Sequence, residues 1–425
     1  MNQSVSPVAR LLGGVLLAFA FTGPALAENW PQWRGAHLDG ISHETGLPTT
    51  WSKTDNVAWR LPLPGPAGAT PAVWDDKIFL TSADEDSLVL MCVGTDGTVQ
   101  WKQVMSDKNR NVHGDEGNSA SPSPSTDGKH VWALMASGEL GCYTVAGKPV
   151  WGFNLQDRYG QFKIQFGMTS TPVLDGDRLY LQIIHSGGAG VVCLNAASGE
   201  EIWQQKRPSD ARDECEHSYA SPVIYRSGEQ EMLLTHGADL IVAHRLKDGH
   251  EIWRCGGLNP PGNYNHTLRF VASPVAAAGL IVVPSAKNGP VLGLSPDNHG
   301  DITDGTSGHL WTRARNTPDV PSPLVYDGLV YLCREDGTVI CLDAKTGEEF
   351  YQKRGHADRH RASPVCADGK IYLTARDGTV TVIKTGREFE VLATNAMGEA
   401  MSSSPAIANG RIYLRTFEAL YAVGK

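Results

Sequence analysis

An all-β chain closed into an eight-bladed propeller is the fold this sequence predicts, and three observations carry the prediction. The dipeptide Ser-Pro or Thr-Pro recurs at Pro71, Pro122, Pro172, Pro222, Pro274, Pro323, Pro364 and Pro405, with spacings of 51, 50, 50, 52, 49, 41 and 41 residues. A repeat of that period marks an array of supersecondary units. Most units close on a Gly turn followed by an aromatic, as in Ser198-Gly199-Glu200-Glu201-Ile202-Trp203 and Thr346-Gly347-Glu348-Glu349-Phe350-Tyr351. The last unit stops one strand short, while Asn56-Val57-Ala58-Trp59-Arg60 stands alone before the first proline. One blade completed from both ends of the chain latches a ring, and a ring removes the exposed sheet ends of an open stack.

Residues 1–27 read as a cleaved export signal. Arg10 precedes a largely apolar run from Leu11 to Thr22, and Pro24-Ala25-Leu26-Ala27 ends in a small-residue cleavage pattern. The run is short for a membrane span, so a periplasmic or secreted chain beginning near Glu28 is expected. No Cys precedes Cys92, so no lipid anchor is expected. Residues 28–55 form an N-terminal extension, and 56–425 the propeller. The unit at Pro323 shows how a blade is written. Leu324 to Tyr326 is a short strand, Asp327-Gly328 a turn and Leu329 to Cys333 a second strand. Asp336-Gly337 turns into Val339 to Leu342, and Thr346-Gly347 into a fourth strand ending at Tyr351. Asp-Gly between β-branched and aromatic runs is a strong hairpin signal. In the fifth unit a polar insertion runs from Leu294 to Gly305; its acids could hold Ca²⁺, but their spacing fails an EF-hand loop, and a surface loop is expected.

The formal charge of −9 argues against nucleic acid or an anionic membrane as the main partner. Cys92, Cys142, Cys193 and Cys341 share one slot of the repeat, which reads as core packing by a small hydrophobe rather than disulfides. Cys215 and Cys255 lie in less regular sequence, and a bridge between them is left open. No C-x-x-C or C-x-x-C-H occurs, so neither a zinc knuckle nor covalent haem is indicated.

With these anchors in hand, the chain resembles the PQQ-like, quinoprotein-type eight-bladed propellers. The pieces that carry the resemblance are Ala196-Ala197-Ser198-Gly199-Glu200-Glu201-Ile202-Trp203 and Leu342-Asp343-Ala344-Lys345-Thr346-Gly347, which look like that family's tryptophan-docking repeat. The resemblance implies that Trp59, Trp101, Trp151, Trp203, Trp253, Trp311 and Tyr351 are docking aromatics between neighbouring blades. Trp30-Pro31-Gln32-Trp33-Arg34-Gly35, followed by Asp39-Gly40, is similar to the opening segment of exported members. Two branches of the family bear on function. PQQ-dependent dehydrogenases hold a planar tricarboxylate quinone and Ca²⁺ in the funnel, whereas cofactor-free propellers such as BamB serve outer-membrane β-barrel assembly as scaffolds. The chain lacks the enzymes' vicinal Cys pair, haem motif and length, and it lacks BamB's lipid-anchor Cys.

Propellers bind ligands on the loops that lead into the innermost strands. Here those loops carry His113, Glu116 and Asn118 before Pro122; His217 and Tyr219 before Pro222; His266 and Arg269 before Pro274; and Arg359, His360 and Arg361 before Pro364. Glu399 comes from the last blade. His and Arg gathered in a funnel would receive an anionic or hydroxyl-rich ligand; the bland alternative is polar loops that are solvated or tie blades together. No catalytic residue and no metal site is assigned, G-x-S-x-G is absent, and the Ser-Pro serines read as structural because they repeat. The expectation is an exported, monomeric binding or assembly scaffold without a cofactor, whose partner is a protein or a small anionic or carbohydrate ligand. The alternative is a dehydrogenase of alcohols or sugars using PQQ and Ca²⁺.

Overall fold

The computed structural model describes Met1 and residues 28–109 and 117–424. The expected signal, together with His113 and Glu116, lies outside the described residues.

Asp-Gly turns and β-branched runs build eight antiparallel four-stranded sheets arranged as a propeller ring. Blade 1 runs through Ala72–Trp74, Lys77–Asp84, Ser87–Gly94 and Val99–Ser106, and each later unit repeats that order outward from the axis. Blade 6 is made of Leu324–Tyr326, Leu329–Cys333, Thr338–Asp343 and Glu349–Arg354, within a residue or two of the sequence reading for its first three strands. Blade 8 takes Ala406–Ala408, Arg411–Arg415 and Ala419–Val423 from the C-terminus and Val57–Pro62 from the N-terminus, with Trp59 opposite Ala422 and Arg60 opposite Tyr421. The ring is latched as the orphan strand predicts. The polar insertion contributes Gly300–Asp301, which lies parallel to the outer strand of blade 4. Among the described residues no helix is long and apolar enough to cross a membrane.

The Ser/Thr-Pro anchors have a job beyond extended geometry. The backbone N–H of each anchor residue donates to the hydroxyl of the next blade's anchor: Thr70 to Ser123, Ser123 to Thr171, Thr171 to Ser221, Ser221 to Ser273, Ser273 to Ser322, Ser322 to Ser363 and Ser363 to Ser404, at 2.8–3.1 Å. Ser403 Oγ donates to Ala69 O at 3.0 Å across the latch. This girdle sets the register of blade 2 two residues later than the spacing suggests: its anchor is Ser123-Pro124, not Ser121-Pro122, and its inner strand is Ser125–Thr126.

Between blades, the indole N–H of Trp59, Trp101, Trp151, Trp203 and Trp311 donates to a carbonyl of the following blade at 2.8–3.1 Å. The Trp151 ring lies against Gly199, whose φ of +71° and 2.7 Å clearance for a Cβ leave room for glycine alone. Trp253 is fully buried but its N–H finds no acceptor, and the Tyr351 hydroxyl is likewise unpartnered. A small residue faces each ring across the ladder: Cys92 faces Trp101, Cys142 Trp151, Cys193 Trp203 and Cys341 Tyr351. All eight cysteines, Cys215 and Cys255 included, are buried free thiols.

The N-terminal extension crosses the end of the ring where the inner strands finish. Trp30 and Val73 exchange backbone hydrogen bonds at 2.9 and 2.7 Å, and Thr126 N–H donates to Pro31 O at 2.8 Å. The Gln32 amide pairs with the Leu174 backbone in both directions. Arg34 donates to Asp39 O and Pro323 O at 2.6 and 2.8 Å, and Cys366 N–H to Gly40 O at 2.8 Å. Five blades are thus tied by eleven consecutive residues, 30–40, and that end of the axis is closed.

Candidate functional site

At the opposite end the loops leading into the innermost strands enclose a cavity of about 560 Å³ on the axis. All eight blades reach it, from Gly68 of blade 1 to Ser402 of blade 8. The turns between second and third strands share this end, as antiparallel topology requires: His360 N–H donates to Glu335 O at 2.8 Å, Arg376 N–H to Arg359 O at 2.7 Å and Met401 N–H to Arg376 O at 3.1 Å. The lead-in loops of blades 7 and 8 are therefore braced on the preceding blade's hairpin, and that of blade 7 on its own hairpin as well.

Arg269, Arg359, Arg361 and Arg376 line the cavity, against Asp319 and Glu335. Four guanidinium groups against two carboxylates leave the described lining cationic. The arginines are held rather than loose. Arg269 pairs with Glu214 at 2.8 Å and lies over Phe166 with its guanidinium carbon 4.5 Å from the ring centroid. Arg376 donates to Ser402 Oγ at 2.5 Å and lies 4.4 Å over Phe417. Glu335 Oε1 receives both Arg359 (3.4 Å) and Arg361 (3.2 Å). Stacked, paired guanidinium groups keep their planes fixed, and a fixed fork loses little freedom when it meets a carboxylate or phosphate.

Of the residues singled out in sequence, Asn118, Tyr219, Arg269, Arg359 and Arg361 come together here. Tyr219 accepts from Phe166 N–H at 3.3 Å, and burial pushes its hydroxyl up to about 12, so it stays a neutral phenol. His217, aligned by repeat with Arg269 and Arg359, does not line the funnel: its Nε2 lies 2.7 Å from Ser186 Oγ between blades 3 and 4, and burial holds its pKa below the ordinary value. His360 is buried with Nδ1 2.9 Å from Asp358 O, and burial lowers its pKa too. His266 sits on the surface, 2.7 Å from Asp213. Glu399 is a latch residue, accepting from Tyr421 OH (2.6 Å), Thr416 Oγ1 (2.7 Å) and Arg60 (3.1 Å). Burial raises its pKa, but hydrogen bonds from Tyr421 and Thr416 and the charge of Arg60 outweigh that and hold it below the ordinary range.

The funnel also contains residues that sequence reading passed over. Arg376 and Glu335 each stand immediately before an Asp-Gly hairpin, Asp377-Gly378 and Asp336-Gly337, and Phe417 lies in the corresponding turn of blade 8. The signal was available, since those turns share the end of the lead-in loops.

A metal finds little here. Among the described residues no group of three or more His, Cys, Asp or Glu is placed to hold one. Ca²⁺ takes six to eight oxygens, and the two lining carboxylates include Glu335, already shared by two arginines. The arginines suit the carboxylates of PQQ, but the donors among the described residues do not fit its calcium.

Comparisons with known proteins follow the fold. The structure is similar to BamB from Moraxella catarrhalis (TM-score 0.63, 14% identity, 86% of this chain and 99% of that one). It is also similar to a europium-containing methanol dehydrogenase (TM-score 0.69, 11% identity, 91% and 89%). A third likeness is to the quinohemoprotein alcohol dehydrogenase ADHIIG from Pseudomonas putida HK5 (TM-score 0.64, 12% identity, 93% and 80%). At such identities the likeness establishes the fold alone. No curated protein matches the chain in sequence. The family model described as outer membrane protein assembly factor BamB matches residues 42–151 and 86–353. The chain belongs to that family of PQQ-like repeat propellers.

Proposed function

We propose that this propeller is an exported, non-catalytic binding scaffold of the BamB-like kind, and that its axial funnel receives an anionic group of the partner. One observation carries the reading: among the described residues four arginines line a single concave site with two carboxylates, in a chain whose overall formal charge is −9. A cation-lined mouth in an acidic protein selects by local field and not by bulk charge. Export rests on the leader pattern of residues 1–27, and the interblade indoles are read as the family's docking rings. The dehydrogenase reading is less favoured because the funnel's described acids are few and already engaged.

Calorimetric titration with citrate, a tricarboxylate, tests this. Wild type should bind, and Arg269→Ala combined with Arg359→Ala should not, while still melting as a folded protein. Unaltered citrate binding by the double variant would sink the reading, and an unfolded double variant would make the two arginines blade ties. With PQQ, CaCl₂, an alcohol and a dye as electron acceptor, the protein should not raise dye reduction above the protein-free rate; a protein-dependent rate would favour the dehydrogenase.

A further inference from the structure

The axial funnel is not a closed pit. A groove of about 720 Å³ runs from it towards the rim over blades 5 and 6, and the two share Asp319, Glu335 and Arg359 as a common sill. Beyond the sill the character changes. The groove sets Lys287, Arg334, Arg354 and Arg359 against Asp319, Glu335, Asp336 and Asp358, so cations and anions are equal in number. The Arg334 and Arg354 side chains both lie on Asp336, at 3.8 and 3.1 Å. A cationic pocket thus continues into a neutral channel rich in both donors and acceptors.

Resting on the anion-binding reading above, we propose that the ligand is an extended polypeptide segment with an acidic end: carboxylates seat on the funnel arginines, and the following residues lie along the groove. An extended backbone offers one donor and one acceptor per residue, which a lining of balanced charge can meet. A small tricarboxylate would fill the funnel and leave the groove unused. A nucleic-acid strand carries a negative charge at every step and would set those charges against the four acids of the groove. At about 3.3 Å per residue, some six residues of peptide cover roughly 20 Å, the scale of a path from axis to rim.

An acid-ended hexapeptide (two glutamates followed by four glutamines), hexaglutamine, citrate and hexathymidylate, titrated into the intact protein at about 150 mM salt, separate these cases. The acid-ended hexapeptide should bind about tenfold tighter than citrate, and hexaglutamine and hexathymidylate weakly or not at all. Ala357→Trp places a bulky ring at an exposed position that lines the groove but not the funnel. It should weaken the acid-ended hexapeptide about tenfold and leave citrate binding unchanged. Equal affinity for the acid-ended hexapeptide and citrate, or a peptide affinity indifferent to Ala357→Trp, overturns the extended-ligand inference while the funnel reading stands. Tight hexathymidylate binding overturns it in favour of a polyanion. If neither citrate nor the acid-ended hexapeptide binds, the funnel reading itself fails.

Discussion

The two ends of the ring use arginine in opposite ways. At the closed end, Arg34 is wholly buried and bound to the carbonyls of Leu38, Asp39 and Pro323; burial lowers its pKa to about 10, partly offset by Asp39. At the open end, Arg269, Arg361 and Arg359 keep 23%, 14% and 50% of their side-chain surface and pair with carboxylates. A guanidinium surrounded by carbonyls and cut off from water is a structural clip. One stacked on a ring, paired and facing a cavity can exchange its partner for a ligand's carboxylate. Arginine content alone would not tell the two apart; burial and the chemistry of the partner do.

That contrast is open to breaking, first at the closed end. Trp30 is 1% exposed and packs in the plug against Val73 and Gly35. Trp30→Ala should cost about 3–5 kcal/mol, seen in urea denaturation; an unchanged midpoint would mean that the plug does not hold the ring. Arg34→Met keeps the bulk but orphans three carbonyls, for an expected loss of about 1–3 kcal/mol by the same measurement.

The wall between the ends sets the acid response. His236 and His244, interior to blade 4, have pKa values lowered to about 3 and about 4, chiefly by burial and then by the charge of Arg207. Their folded values lie below the ordinary 6.5 or so of an unfolded chain, so the unfolded state takes up protons that the folded state refuses. Stability is complete above that unfolded pKa and falls as pH drops through it, by at most about 1.4 kcal/mol per histidine per pH unit. Calorimetry in two buffers of different ionisation enthalpy should show proton uptake on unfolding near pH 5.5; proton release there would contradict the assignment.

The smallest effect belongs to the open end. Removing Arg269 and Arg359 together should shift stability by less than about 1 kcal/mol, as partly exposed ion pairs contribute little. A loss as large as that of Trp30→Ala would erase the distinction between clip and ligand group.

How much of this was legible depended on what the repeat could encode. Eight blades, the latch of Trp59 beside the C-terminal strand and the Asp-Gly turns were readable because each is a local pattern recurring in register. The shift to Ser123-Pro124 was hidden because Ser121-Pro122-Ser123-Pro124 offers two anchors, and only the hydroxyl girdle chooses between them. In the funnel, equivalent positions were expected to aim alike. Arg269 and Arg359 do so because a long side chain follows the loop to the axis, whereas the shorter His217 is taken by Ser186 in the neighbouring cleft. Glu399 was drawn into the latch by Arg60 and Tyr421, partners more than twenty residues away in sequence. The plug at residues 30–40 has no repeat to announce it, and its hydrogen bonds reach five blades from distant parts of the chain.

Hydrogen exchange of the intact protein, with and without the acid-ended hexapeptide, tests the account most directly because it reads both ends at once. The plug at residues 30–40 should exchange slowly in both conditions. The loops at 117–121, 266–271, 356–361 and 400–403 should exchange faster when free and slow by about tenfold with ligand. Protection that appears in the plug, or in neither region, would contradict a braced end and a binding end on one ring.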